Sequence, residues 1–217
     1  MGFNKKNVDA IYAGFECKCI FVLIECYRLV KDKKEYNLSW EEEQFSAILI
    51  NSVENSDFAK KWNIDVVPEH RLYTDKILKG KKLPKSASRI DMRFAGWINQ
   101  KKLIYFIEAK NLCAHNWIKD NGVKVNALKL HNRYFETGII YFLNEYYPRN
   151  GCLVGYILEG KTENIVEKIN NLIRDIRQHE EILIITKPIN DHSDIYNSIH
   201  ILDDGNELIL KLIFFKF

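Results

Sequence analysis

Arg89–Lys110, RIDMRFAGWINQKKLIYFIEAK, is the stretch whose pattern decides the fold. Its first run, Arg89 to Trp97, is strand-like and carries one acid, Asp91. The second, Leu103 to Lys110, is apolar until it ends in Glu108-Ala109-Lys110. A polar turn, Ile98-Asn99-Gln100-Lys101-Lys102, separates them. Side chains alternate faces along a strand, so Glu108 and Lys110 project from one side. Pairing of the two strands brings Asp91 close to Glu108. Two carboxylates and a lysine converging at a strand end make a hard-cation site with a charged helper, the ingredients of metal-assisted phosphodiester hydrolysis.

Upstream, Ser39 followed by Glu42 has the spacing of a capping box, and a helix continues through Phe45, Ile48, Leu49, Ser52 and Val53. Its first turn holds Glu41, Glu42 and Glu43; acids there suit the helix dipole, or one of them reaches the metal site. Ile64–Thr74 is a strand interrupted by Pro68, hence an edge strand or a bulge, with Glu69 a second-choice acid. Asp75–Ser88 is a loop rich in lysine, from Lys76 to Lys85; Lys82 and Lys85, just ahead of the catalytic strand, are candidate phosphate contacts.

Downstream, 111–122 is polar and expected to loop. Lys124–Asn144 has helical periodicity, with Lys129 and Arg133 four apart on one face. Gly151–Glu159 has the continuous apolar character of a buried strand. A helix over Lys161–Gln178 and a strand over Glu181–Thr186 follow. Ser198–Leu202 and Glu207–Phe217 bracket Asp203-Asp204-Gly205-Asn206, a hairpin signal. At the other end, residues 9–31 form an amphipathic helix with Tyr12, Phe15, Cys19, Val22, Leu23, Cys26, Leu29 and Val30 on its apolar face. Glu16, Lys18, Glu25 and Arg28 make it unsuited to span a membrane, so it packs on the body of the protein or meets a partner protein or second subunit.

The pattern resembles the PD-(D/E)xK, or restriction-endonuclease-like, nuclease superfamily over roughly Ser39 to Glu159. That family carries an acid on one strand and acid-x-lysine on the next; here those are Asp91 and Glu108-Ala109-Lys110. The proline that often precedes the first acid is replaced by Ile90. The resemblance implies an α/β fold with a mixed central sheet flanked by helices on both faces. The core spans about 39–187, with the helix 9–31 and the hairpin 198–217 as additions to a single domain. It implies that Asp91, Glu108 and the Ala109 carbonyl hold Mg²⁺, with Mn²⁺ as a substitute, and that Lys110 assists the attacking water. It favours a supporting role for Glu42, ahead of Glu43 and Glu41, and phosphate contacts from Lys129 and Arg133. The expected activity is hydrolysis of DNA in a restriction, phage-defence, mobile-element or repair setting. RNA cleavage, and a non-catalytic module that keeps the fold, stand as alternatives.

Composition is compatible with this and excludes little. A net charge of +3 permits a nucleic-acid partner but confines it to a local basic patch. Five cysteines without a C-x-x-C pair argue against a disulfide framework or a zinc ribbon, and suggest a reduced, cytoplasmic setting. There is no P-loop, no G-x-S-x-G and no H-E-x-x-H. The isolated histidines, including His115, His131 and His192, are expected to be structural or exposed.

Overall fold

A wide stripe of apolar side chains makes the N-terminal segment a helix laid flat on the protein rather than a free arm. In the computed structural model, which describes residues 5–73, 75–98, 100–177, 179–202 and 204–217, this is α1 (Lys5–Asp32). Cys19, Ile20, Val22, Leu23, Ile24 and Cys26 are fully buried on it. Its two ends clamp different strands. Phe15 packs so closely on Gly96 that a Cβ there would lie 2.5 Å from its ring. Tyr27 stacks on Phe215 at 4.3 Å and donates its hydroxyl proton to the Lys216 carbonyl at 2.6 Å. Of the two roles expected for its apolar face, packing on the body of the protein is the one seen here, although Leu29 is exposed. Among the described residues no helix is long and apolar enough to cross a membrane.

The remaining helices are α2 (Glu42–Glu54), α3 (Asp57–Lys61), α4 (Asp75–Leu78), α5 (Ala127–Tyr134), α6 (Ile140–Leu143) and α7 (Thr162–Ile176). The strands are β1 (Asp65–Leu72), β2 (Ser88–Ile98), β3 (Lys101–Cys113), β4 (Trp117–Ile118), β5 (Lys124–Val125), β6 (Gly151–Glu159), β7 (Ile184–Ile185), β8 (Ile195–Ile201) and β9 (Glu207–Lys216). Seven strands form one mixed sheet in the order β1-β2-β3-β6-β9-β8-β7, and β4 and β5 make a separate small pair. β3, β6 and β9 run parallel; the outer pairs are antiparallel. Parallel central strands are buried on both faces, which is why β6 is apolar along nearly its whole length. One face packs on α1 and α2 through Tyr105, Ile107, Val154, Tyr156 and Phe215. The other packs on α5–α7 through Phe106, Leu112, Leu153, Ile157 and Phe214.

Several expectations change. The C-terminal hairpin is no addition to a core of 39–187: β9 lies beside β6 inside the sheet, and β8 joins it to β7. The expected strand over Glu181–Thr186 shrinks to β7, preceded by a 3₁₀ turn at His179–Glu181. The lysine-rich loop holds α4 and a 3₁₀ turn at Pro84–Ser86. α2 is capped by Glu41 rather than Ser39, and the Gln44 side chain accepts the Glu41 backbone N–H at 2.6 Å. The single helix expected over Lys124–Asn144 starts after Asn126 and is interrupted by a π-turn at Phe135–Ile139, where Gly138 meets Leu153. The turn after Ile98 has only two residues before Lys101, with Gln100 at φ 65°. Thr74, Asn99, Gln178 and Asp203, and the side chain of Lys76, all named in the sequence analysis, lie outside the described residues.

Candidate active site

The site exists because two paired strands part company. The β2–β3 ladder runs from Ile98↔Lys101 to Met92↔Ile107 and stops one residue short of Asp91 and Glu108. β3 does not end there; its parallel pairing with β6 carries it on to Cys113, so the segment from Asn111 expected to loop continues as strand. Beyond Ile107 its β2-side edge presents backbone donors without a strand partner. Buried donors must be satisfied, and two carboxylates satisfy them. Ala109 N–H donates to Asp91 Oδ2 at 2.7 Å, and Asn111 N–H donates to Glu42 Oε2 at 3.2 Å.

Lys110 lies at the centre of the acids. Its ammonium donates to Glu108 Oε1 and to the Ala109 carbonyl at 3.0 Å, and lies 3.7 Å from Glu42 Oε1. Arg133, reaching in from α5, pairs with the same Glu42 oxygen. The sequence expectation for Asp91, Glu108, Lys110 and Glu42 thus finds all four gathered. Burial pushes Asp91 up to about 6 against the pull of Lys110 and the Ala109 N–H, with Glu42 and Glu43 adding repulsion. Burial likewise pushes Glu108 up to about 7 against the Lys110 ammonium, and Asp91 reinforces the rise. Burial opposes the charge on Lys110, but Glu108, Glu42 and Asp91 together hold its pKa above the ordinary value. Three carboxylates against two cations leave the cluster short of positive charge, and a proton on Glu108 makes up part of the deficit at neutral pH. Glu108 Oε2 is buried with no hydrogen-bond partner. The Tyr147 hydroxyl is near enough to favour the ionised form of Glu108 without completing a bond to that oxygen.

The cluster is closed. Glu108, Lys110 and Glu42 are 3%, 6% and 7% exposed; Asp91 is half-buried, and the Arg133 side chain is open to solvent. Among the described residues no three His, Cys, Asp or Glu side chains are gathered in a metal-holding arrangement. The candidate oxygen set is two carboxylates, Asp91 and Glu108, plus the Ala109 carbonyl, which Lys110 now occupies.

Other expected residues stay outside. Lys129 is exposed on α5, and Lys82 and Lys85 are exposed around the Pro84–Ser86 turn. Glu69 pairs with Arg89 at 3.0 Å on the surface. Glu41 holds the buried ammonium of Lys119 at 2.7 Å, and Glu43 is exposed. Sequence reasoning missed Asn111, Lys119 and Tyr147. Asn111 directly follows the acid-x-lysine motif on the same strand, which was a usable signal; Tyr147 carries none. His131 and His192 each engage a backbone carbonyl, of Cys113 at 2.8 Å and Phe214 at 2.9 Å, and so hold structure.

A second constellation has the connectivity of a nucleophile–base–acid relay. Ser198 Oγ lies 2.8 Å from His200 Nε2, and His200 Nδ1 lies 2.7 Å from Glu181 Oε2. Ser198 and His200 have no exposed surface, so no substrate carbonyl reaches that hydroxyl; the relay is a buried polar brace. Comparison of the chain with protein families, with curated proteins and with solved structures gave no match in any of the three.

Proposed function

We propose that this protein is a Mg²⁺-dependent nuclease that hydrolyses phosphodiester bonds, DNA being the favoured substrate. What carries the assignment is the parting of β2 and β3 at Asp91 and Glu108, with Lys110 and Glu42 drawn to the same place. An acid on the second strand of the main sheet and acid-x-lysine on the third, with α2 ahead of them in the chain and α5 and β6 after, support a restriction-endonuclease-like fold.

The residues fit a hard divalent cation by donor chemistry. All candidate ligands are oxygens, both carboxylates resist ionising without added positive charge, and Glu108 Oε2 is an orphaned buried acceptor. Asp91, Glu108 and the Ala109 carbonyl would hold the ion once Lys110 releases that carbonyl. A bound Mg²⁺ supplies charge neutralisation at the phosphate and acidifies water. Lys110, once free of that carbonyl, orients the attacking water or offsets charge developing on phosphorus. Arg133, already partly in solvent, exchanges Glu42 for a phosphate oxygen.

The test is incubation of the protein with linear, supercoiled and single-stranded DNA and with RNA, with and without Mg²⁺ or Mn²⁺. Cleavage that needs the ion and disappears in Asp91→Ala and Glu108→Gln supports the assignment; cleavage by Glu108→Gln at the wild-type rate refutes it. A second interpretation has its own support: Glu42 and Glu108 are buried and paired internally, as in a non-catalytic interaction module that keeps the fold. That module would bind no divalent ion through Asp91 and Glu108.

A further inference from the structure

An open groove of about 550 Å³ runs between the end of β1 and the turn at 145–149. Its size falls in the range of small-ligand sites. Two of its tyrosines, Tyr73 and Tyr146, are 51% and 57% exposed, and Tyr146 keeps that surface although the Tyr141 ring packs against it at 5.1 Å. Arg71 also lines it; its guanidinium is held by a carbonyl, that of Pro84 at 3.4 Å, rather than by a carboxylate of the described residues. Arg149 is committed to Glu145 and Asp204, which leaves Glu145 neutralised rather than repelling an anion. His70 lines the groove with its ring stacked over Phe106 at 6.1 Å. Burial, then the charges of Arg93 and Lys102, hold the His70 imidazole toward its neutral form. Tyr147 belongs to the same lining and is the residue whose hydroxyl neighbours Glu108, so the groove adjoins the carboxylate cluster.

Exposed aromatic rings beside a guanidinium held by no carboxylate of the described residues match a chain that offers both flat rings and phosphates. A duplex keeps its base faces stacked, whereas an unpaired strand presents them. We propose that this groove seats an unpaired nucleotide of single-stranded nucleic acid, its base against Tyr73 and Tyr146 and its phosphate toward Arg71, so that the adjoining phosphodiester meets the Asp91–Glu108 site. This substrate class rests on the nuclease assignment above, but its test does not.

Binding is measured by fluorescence anisotropy in EDTA, where no cleavage intervenes, using labelled oligothymidylate, labelled oligouridylate and a labelled duplex of equal length. Tight binding of either single strand, weaker binding of the duplex, and a loss of roughly five- to hundredfold in Tyr73→Ala/Tyr146→Ala are expected. Arg71→Ala should reduce the slope of log affinity against log salt by about 0.7. All three positions are at the surface, and unchanged melting temperatures verify the fold. Binding that prefers duplex, no binding of either single strand, or wild-type affinity in the double variant each overturns the groove assignment. Ion-dependent cleavage lost in Glu108→Gln would still support the nuclease assignment in that event, and its absence would remove that assignment alone.

Discussion

Replacing Lys110 by methionine removes the one ammonium that Glu108, Glu42 and the Ala109 carbonyl share, while keeping a chain of similar length. The Lys110 and Glu108 side chains are 7% and 4% exposed, so solvent cannot substitute for the lost charge. Breaking a buried pair by deleting one partner costs about 3–5 kcal/mol. The cost depends on pH in a definite direction. Glu108 is already raised to about 7 in the folded protein, so up to that pH it is largely protonated with or without Lys110. A carboxyl whose folded pKa lies above its unfolded value loses stability as pH rises between the two. Without Lys110 the folded pKa rises further, and the variant keeps losing stability above pH 7 where the wild type has stopped. At about 1.4 kcal/mol per pH unit, the deficit at pH 8.5 should exceed that at pH 6 by about 2 kcal/mol, or about 4–8 °C in melting temperature for a chain of this size. If Asp91 and Glu108 are a cation site, Mn²⁺ at about 100 times its Kd should restore about 2.7 kcal/mol. The assay is thermal melting at both pH values, with and without Mn²⁺. Equal deficits at the two pH values together with no recovery by Mn²⁺ would refute the electrostatic account of the cluster.

Glu108→Gln should lower ion-dependent cleavage by about a thousandfold, some 4 kcal/mol in barrier, yet leave the melting temperature at pH 8 unchanged or raised, because it removes a carboxylate that burial already penalises. Mn²⁺ binding at pH 6.5 should release protons that calorimetry in buffers of different ionisation enthalpy detects, and release should fade by pH 8.5 as Glu108 ionises unaided. Gly155→Ala should destabilise by about 1–3 kcal/mol in urea unfolding, since the new Cβ would lie 2.6 Å from Phe214 and 2.7 Å from Leu112. The Glu181 carboxyl is buried, which opposes its charge, but Arg177 and His200 outweigh that and depress its pKa. Its contribution is therefore present above the unfolded value of about 4.3 and lost as pH falls through the folded one, so Glu181→Gln should flatten the acid limb of the stability profile below about pH 4.5.

The β2–β3 hairpin was legible because its information is local. A period-two pattern on either side of a polar turn fixes which side chains share a face, so spacing alone puts Glu108 and Lys110 together. Glu42 was legible through the spacing that puts it on the inner side of α2 with Phe45. What failed was non-local. The extension of β3 through Asn111, Leu112 and Cys113 depends on β6, over forty residues later in the chain, supplying hydrogen bonds. The insertion of β9 beside β6 is a matter of strand order, which no local pattern encodes. Lys129 and Arg133 share a helical face by spacing, but only Arg133 lies where β2 and β3 separate, so one reaches Glu42 and the other reaches solvent. The lysines of the Asp75–Ser88 segment looked like a phosphate patch, whereas the cations lining the groove, Arg71 and Arg149, come one from β1 and one from the turn after α6. Their proximity is made by the tertiary fold.

The most direct test of the central claim is the anomalous scattering of Mn²⁺ in crystals soaked with the ion. The account predicts a peak bridging the Asp91 and Glu108 carboxylates, with Lys110 withdrawn from the Ala109 carbonyl. Full occupancy of Mn²⁺ elsewhere on the surface, with this cluster still held closed by Lys110 and empty of the ion, would contradict it.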